Sequence, residues 1–230
     1  MARWRVLTCA LVAASGCVAL AVPAAAKKPE VIREFEASGS GKLASTGINE
    51  QKLVFKLEEH GAVAVKCEAA SGKGEITTTE GKATSFLDKV SFSGCFYKKK
   101  KNTIEEDAKV SPVEFEFHAN GLMTIKNEVK VKLPFALCTI LVSPQTVGEE
   151  ALEEHKKTPD SYASVNNRLE VKTKVRTHEE GEEGGIVFEP EKAFCEETAF
   201  KEEGGKYDGN MLVTMSGKEP YIRIHEQPVE

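Results

Sequence analysis

The cysteines are the residues of this sequence whose type and number indicate definite chemistry. The chain has six, and two of them, Cys9 and Cys17, lie in an N-terminal stretch that has the features of a signal peptide. The four that remain after export are Cys67, Cys95, Cys138 and Cys195. An even number of cysteines in an exported chain favours disulfides, and four cysteines allow three connectivities.

We predict that one disulfide joins Cys67 to Cys95. Cys67 has the parity of the apolar residues before it, so its side chain should point into the core. Cys95 is out of parity with the apolar residues before it, and a bulge at Gly94 would return it to the same side. The second bond then joins Cys138 to Cys195. Each bond closes a loop within one half of the chain and is expected to contribute about 3 to 4 kcal/mol.

The remaining candidate groups do not form a known catalytic or metal motif. No two cysteines have the short spacing of a structural zinc site, and the histidines form no paired-histidine metal motif. His118 has the polar parity of its strand, which favours a solvent-exposed side chain. The acidic clusters at 178–183 and 202–203 have oxygen ligands for calcium, but glutamates alone are more typical of a solvated loop. We therefore predict no cofactor and no metal, and the catalytic residues, if any, are unknown.

Residues 1–26 are predicted to be a secretory signal peptide. Two arginines near the start precede the apolar run Val6 to Val22, and three alanines stand before Lys27. The apolar run is short for a membrane-spanning anchor. Cys17 follows Ala-Ser-Gly, so a lipid-modified Cys17 is the alternative. We expect a secreted, extracellular or cell-envelope-associated protein with no transmembrane segment in the mature chain.

Alternation of apolar and polar residues is the dominant pattern of the remaining chain. It predicts an all-β fold of antiparallel, sandwich-like sheets. The clearest alternating stretches are Leu53 to Leu57, Val129 to Leu133, Leu169 to Val175 and Ile222 to Ile224. Ala136 to Val142 is apolar on both parities, which is typical of a central strand covered on both sides. One short helix is predicted near 149–157, where acidic residues precede basic ones.

The charged stretch Lys98 to Ser111 is the best candidate for an internal boundary. It would divide the fold into sub-domains at 27–110 and 111–230, although the length also suits one large β domain. Its lysines at 98–101 could contact an anionic polymer or lipid headgroups. The acidic residues that follow favour a solvated loop instead.

A hairpin is predicted over 113–125. A two-residue Asn-Gly loop would pair Phe117 with Thr124 and place the two apolar faces on opposite sides of the sheet. A three-residue loop with Gly121 in a left-handed conformation pairs Phe117 with Met123 instead. We predict this second register because it keeps one face of the hairpin apolar.

Several segments of the sequence share their pattern with a known family. The pattern resembles that of a family of uncharacterised secreted actinobacterial proteins, and it is carried by Val63 to Cys67, Val90 to Cys95, Phe117 to Gly121, Cys138 to Gln145 and Cys195. The resemblance brings no activity with it. Family members often carry two further cysteines, which the resemblance places at Val113 and Asn127. These two positions face each other in the predicted hairpin, as expected for a cross-strand disulfide lost as a pair.

Charge and motif content together favour a binding or structural role. The chain has a formal net charge of −5, which disfavours non-specific nucleic-acid binding. We predict a secreted or surface-associated β protein that is not an enzyme, with a cell-wall polymer or a protein as its partner. One alternative is a hydrolase that uses paired glutamates. The other is a carbohydrate-binding module that stacks sugar on tyrosines, namely Tyr97, Tyr162, Tyr207 and Tyr221.

Overall fold

The computed structural model describes residues 31–57, 61–98, 105–134, 138–147, 162–175, 189–190 and 205–228. These residues form eighteen strands in three sheets, and neighbouring strands pair antiparallel. The prediction of an all-β protein with antiparallel sheets is confirmed. The segment predicted to be a helix, 149–157, and the predicted signal peptide, 1–26, lie outside the described residues.

The largest sheet has eleven strands. They are β2 (Gly41–Gly47), β3 (Gln51–Leu57), β4 (Gly61–Ile76), β6 (Ser85–Lys98), β7 (Glu105–Asp107), β9 (Val113–His118), β10 (Met123–Ile125), β13 (Gln145–Val147), β14 (Tyr162–Val165), β15 (Arg168–Val175) and β17 (Gly205–Met215). Along the sheet the order is β13-β10-β9-β6-β4-β2-β17-β15-β14, with β3 also between β4 and β17 and with β7 on β6.

Two smaller sheets complete the fold. The first contains β18 (Ile222–Pro228), β1 (Val31–Ala37) and β5 (Lys82–Ala83), in that order. The second contains β16 (Glu189–Pro190), β12 (Cys138–Val142), β11 (Val129–Leu133) and β8 (Lys109–Val110). Strand β12 belongs to the stretch predicted to be a central strand, and it has a partner on each side. Its residues Ile140 and Val142 are buried, whereas Thr139 and Leu141 are half-buried, so only one face is fully covered.

Strands β2 and β3 are two parts of one long strand with a break at residues 48–50. Both run antiparallel to β4 on one side and to β17 on the other. Polar groups satisfy the backbone at the break: the Gln51 side chain donates to the carbonyls of Asn49 (2.9 Å) and Asn210 (3.3 Å). The break therefore brings a buried amide side chain into the interior.

A connected series of aromatic rings runs through the core. Phe115 on β9 stacks on Tyr207 of β17 with ring centroids 6.0 Å apart. Strands β6, β4 and β2 separate β9 from β17 in the sheet, so this contact requires the sheet to curl until its inner faces meet. The Tyr162 hydroxyl on β14 also donates to the carbonyl of His118 on β9 (2.8 Å), which ties distant strands of the same sheet together.

The hairpin formed by β9 and β10 has the predicted register. Phe117 pairs with Met123 and Phe115 with Ile125, and Gly121 has a positive φ of 96°. The inner residues of both strands are buried. The predicted three-residue loop is therefore confirmed. The physical reason for this register is that it keeps the apolar residues of both strands on one face.

The predicted disulfide between Cys67 and Cys95 is confirmed. The two residues are direct partners on β4 and β6, with Cα atoms 3.9 Å apart, and both are buried. Gly94 has a positive φ of 60°, and the inward parity of β6 changes there as predicted. The change does not take the form of the predicted bulge, because neither strand has an extra residue at this point. Strand β4 changes which of its residues face inward opposite Gly94, and the pairing register is the same on both sides. Cys195 lies outside the described residues, so the second bond remains a prediction.

Strands from both sides of the charged stretch 98–111 belong to one sheet. Strand β6 pairs with β9 through six residue pairs, from Ser85 with His118 to Val90 with Val113. Strand β17 pairs with β2 and β3. One hydrophobic cluster includes buried residues from both halves of the chain.

Removing the Cys67–Cys95 bond is expected to lower the free energy of unfolding by about 3.5 kcal/mol, because the bond closes a 28-residue separation in the unfolded chain. The double variant Cys67→Ala/Cys95→Ala tests this by urea unfolding. Without reductant, the native protein should also yield a Cys67–Cys95 peptide on mapping. Equal stability of variant and native protein, or a peptide that joins Cys67 to Cys138, would contradict the assignment.

Gly74 is expected to tolerate no side chain. An ideal Cβ there would lie 1.9 Å from the backbone oxygen of Leu87, which cannot move without separating β4 from β6. Gly74→Ala should therefore destabilise the protein by about 2 to 3 kcal/mol. Gly41→Ala is the matched control in the same sheet, because its Cβ meets only the flexible end of Met215. The prediction fails if chemical denaturation gives the two variants the same stability.

Candidate functional site

The tyrosines proposed as a sugar-binding row are mostly part of the core. Tyr97, Tyr162 and Tyr207 are 2%, 3% and 3% exposed. Each donates its hydroxyl to a protein acceptor, and for Tyr97 this is a carboxylate oxygen of Glu106 (2.5 Å). Tyr221 is half-buried, and its ring has the guanidinium of Arg223 at 5.5 Å from the centroid. These four tyrosines therefore do not form an exposed stacking surface.

Several of the described glutamates already have cationic partners. Glu36 accepts two hydrogen bonds from Arg223, the shorter of 2.7 Å, and the hydrogen bond from Arg223 lowers the pKa of Glu36. Glu116 accepts from Lys126 (2.9 Å), which lowers its pKa in the same way. A lowered pKa suits an ionised structural carboxylate and not a general acid, which must hold its proton near neutral pH.

An apolar cavity of about 30 Å³ lies between strands of the large sheet and strands β11 and β12 of the four-stranded sheet. Its wall includes the rings of Phe55, Phe92, Phe115 and Tyr207, and Lys206 is the only charged residue among the described residues that line it. This volume is far below the roughly 300 to 1,000 Å³ of pockets that hold drug-sized ligands. The pair of glutamates that the alternative hydrolase would require does not line this cavity.

Four buried polar residues form what we call the interior polar cluster: Ser45, Gln51, Asp88 and Tyr207. Their exposed fractions range from 0% to 3%. Gln51 and Tyr207 satisfy each other, since the Tyr207 hydroxyl donates to Oε1 of Gln51 at 2.6 Å. Burial raises the pKa of Tyr207, so its hydroxyl remains a neutral donor. This half of the cluster is a closed hydrogen-bond network.

Asp88 and Ser45 form the other half of the cluster. Neither oxygen of Asp88, nor the Ser45 hydroxyl, has a partner with hydrogen-bond geometry. Burial raises the pKa of Asp88 to about 6, and the proximity of the Ser45 hydroxyl opposes the shift only weakly. A buried carboxylate without a partner is costly to ionise, and Asp88 is the one carboxyl group among the described residues whose pKa is raised.

Glycines on β4 make room for these two side chains. Ser45 on β2 pairs with Gly72, and Asp88 on β6 pairs with Gly74. A Cβ at Gly72 would lie 2.2 Å from Oγ of Ser45 and 2.4 Å from Oδ1 of Asp88. Ser45 and Asp88 thus approach each other across the bare backbone of the strand between them.

Asp88 is not among the predicted site residues, although the sequence contains a signal for it. Asp88 shares the parity of Phe86 and Val90, both of which point into the core. An acidic residue on the apolar parity of a strand is unusual, because an ionised carboxylate is seldom buried without a partner. Nothing in the sequence indicated which residue would face it, since Ser45 comes from a strand more than forty positions earlier.

A hydrogen-bonded polar patch covers the outer side of β6, β9, β10 and β13. We call it the His118 face, and it consists of Ser85, Glu116, His118, Thr124, Lys126 and Thr146. Nε2 of His118 lies 3.1 Å from the Thr124 hydroxyl, which lies 3.0 Å from the Thr146 hydroxyl. Ser85 donates to Glu116 at 3.1 Å. His118 is thus at the surface and half-buried, consistent with its polar parity.

Within the described ranges, no cluster of three or more His, Cys, Asp or Glu side chains could hold a metal ion. The acidic clusters at 178–183 and 202–203 and the lysines at 99–101 lie outside those ranges. The described part of the chain also contains no helix of the length and hydrophobicity needed to cross a membrane. Comparisons with protein-family models, with curated proteins and with solved structures found no match to this chain.

Loss of the Tyr207 hydroxyl should leave Oε1 of Gln51 buried without its donor. Tyr207→Phe is therefore expected to lower the free energy of unfolding by about 1 to 3 kcal/mol. Tyr221→Phe is the matched control at a partly exposed tyrosine, and its effect should stay within about 0.5 kcal/mol. Urea unfolding of both variants makes the comparison. A Tyr207→Phe variant as stable as Tyr221→Phe would contradict the closed network.

Proposed function

We propose that this protein is a secreted or surface-associated, non-enzymatic β protein that binds an extended cell-wall polymer through the His118 face. The observation that carries the proposal is the hydrogen-bonded array of side chains on the outside of four neighbouring strands. Such an array presents donors and acceptors at fixed positions, as recognition of a hydroxylated polymer requires.

The core disulfide supports export. Disulfides persist in oxidising compartments and are rare in the cytosol, and the Cys67–Cys95 bond is buried between two central strands. The signal-peptide pattern of residues 1–26 and the resemblance to secreted actinobacterial proteins are consistent with the same location. A wall polymer is the abundant ligand that such a location would offer.

The chemistry of the face suits a polar polymer. His118 and Thr124 can each act as donor or acceptor, while Glu116 and Lys126 supply one charge of each sign. The side chains belong to paired strands, so their spacing is set by the sheet and little conformational entropy is lost on binding. An open face of this kind can contact several units of an extended chain, whereas the apolar cavity is far smaller than a typical ligand pocket.

Several of the described residues that could perform hydrolysis have structural partners. Glu36 and Glu116 are ion-paired, and Tyr97, Tyr162 and Tyr207 donate their hydroxyls within the fold. These contacts favour a scaffold over an enzyme, because a catalytic group must be free to exchange a proton with substrate.

Removing the two threonine hydroxyls of the face should weaken binding to insoluble wall material. Thr124→Val/Thr146→Val keeps side-chain shape and strand propensity, so we expect at least about tenfold weaker retention on purified cell wall. Thr46→Val is the control, because Thr46 is an exposed threonine on β2 outside the face.

The same cell-wall binding experiment distinguishes the proposed function from its alternatives. Equal retention of native protein and double variant would refute the His118 face, and no retention of native protein on any wall fraction would refute the polymer partner. Release of soluble sugar or peptide from the wall would instead establish the hydrolase. Capture of a purified wall-anchored protein, with no binding to the polymer alone, would indicate a protein partner.

A further inference from the structure

Asp88 is the one described acidic residue that is fully buried. Its side chain is 0% exposed, and its two oxygens and the hydroxyl of Ser45 are three buried polar atoms without a hydrogen-bond partner. Ordinary packing does not retain such atoms, because each costs free energy when it is left unpaired. The three atoms converge over Gly72, so they belong to one local arrangement.

We propose that Asp88 and Ser45 form a pH-sensitive switch inside the large sheet, in which a proton on Asp88 keeps β2, β4 and β6 tightly packed and its loss loosens them. The proposal is independent of the His118 face and of any bound polymer.

Protonation of Asp88 allows the Asp88 and Ser45 side chains to satisfy each other's hydrogen bonds without any other group. A neutral carboxyl has one O–H donor and keeps acceptor capacity, and the Ser45 hydroxyl is both donor and acceptor. The neutral pair can therefore satisfy itself by small rotations of two side chains that already lie across the same glycine. An ionised Asp88 has only acceptors, and the single hydroxyl of Ser45 cannot replace the water that a carboxylate loses on burial.

No positive charge among the described residues opposes this effect. The groups that face Asp88 are Ser45 from β2, the bare backbone of Gly72 and Gly74 from β4, the ring of Phe115 from β9 and Tyr207 from β17. Among them only Tyr207 titrates, and it does so far above neutral pH. Within the described part of the chain, no cation acts on the Asp88 carboxyl, so none of these residues supplies a counter-ion.

The direction of the pH dependence follows from burial. The pKa of Asp88 is raised to about 6 in the folded protein, against an ordinary value of 3.8. Its stabilising contribution is therefore complete below about pH 3.8 and is lost as the pH rises through about 6. This difference of about two pH units corresponds to roughly a hundredfold change in the folding equilibrium. Glu36 and Glu116 have lowered pKa values, so their contributions are lost only in stronger acid.

The location of Asp88 and Ser45 determines which contacts in the interior the switch affects. Asp88 pairs with Gly74 on one side and with Phe115 on the other, and Phe115 stacks on Tyr207 across the interior. Loosening at Asp88 therefore acts on the contact that holds the two inner faces of the curled sheet together.

Unfolding of the full mature chain in urea at pH 4.5 and pH 8 tests the switch. The native protein should lose roughly tenfold to a hundredfold in its folding equilibrium between these values, and Asp88→Asn should abolish most of that loss. Asp107→Asn is the matched control on exposed β7, and it should keep the native pH dependence. Native protein that is as stable at pH 8 as at pH 4.5, or a variant with the full native dependence, would overturn the proposal.

A direct titration covers the case in which Asp88→Asn does not fold. The carboxyl carbon of Asp88 in the native protein, followed by NMR, should titrate with a midpoint near 6, and the midpoint should rise further in Ser45→Ala because the hydroxyl opposes the shift. A native midpoint below about 4 would show a stabilised carboxylate and would overturn the switch.

Discussion

The antiparallel register of β4 against β6 is the constraint on which most other features depend. These strands are among the longest in the molecule, and one unbroken register aligns Cys67 with Cys95 at one end and Gly74 with Asp88 nearer the other. The disulfide locks this register covalently. A slip by one residue would turn Asp88 outward, separate the cysteines and reverse both faces of the sheet, so covalent bond, glycine contact and core packing enforce the same alignment.

The interior of the fold combines an apolar core with the interior polar cluster. Aromatic contacts such as Phe115 on Tyr207 join the facing layers, and the hydroxyl of Tyr207 extends the contact to Gln51. That network is closed, whereas Asp88 beside it is not. The interior polar cluster therefore has two parts. The Gln51–Tyr207 network specifies the packing at any pH, whereas the free-energy cost of burying Asp88 depends on its protonation state.

The alternation of each strand separates the packed core from the polar outer face. On β9, Phe115 and Phe117 face the core while Glu116 and His118 face outward, so the same short strand supports the curled sheet and presents the polar face. Substitutions on the outer side can therefore test the proposed binding without disturbing the core. The inner side has no such freedom, because its rings contact the opposite layer.

Local patterns in the sequence determined the strands, the β9–β10 register and the partner of Cys67. Each depends on residues close in sequence, on parity and on turn length, as Phe117, Gly121 and Met123 illustrate. Only the tertiary structure decided that three of the four tyrosines are core residues and that Asp88 meets Ser45 across Gly72. These contacts join strands that are far apart in the chain and that meet because the large sheet curls. A period-two pattern specifies which face of a strand a residue occupies, but it does not specify which distant residue that side chain contacts.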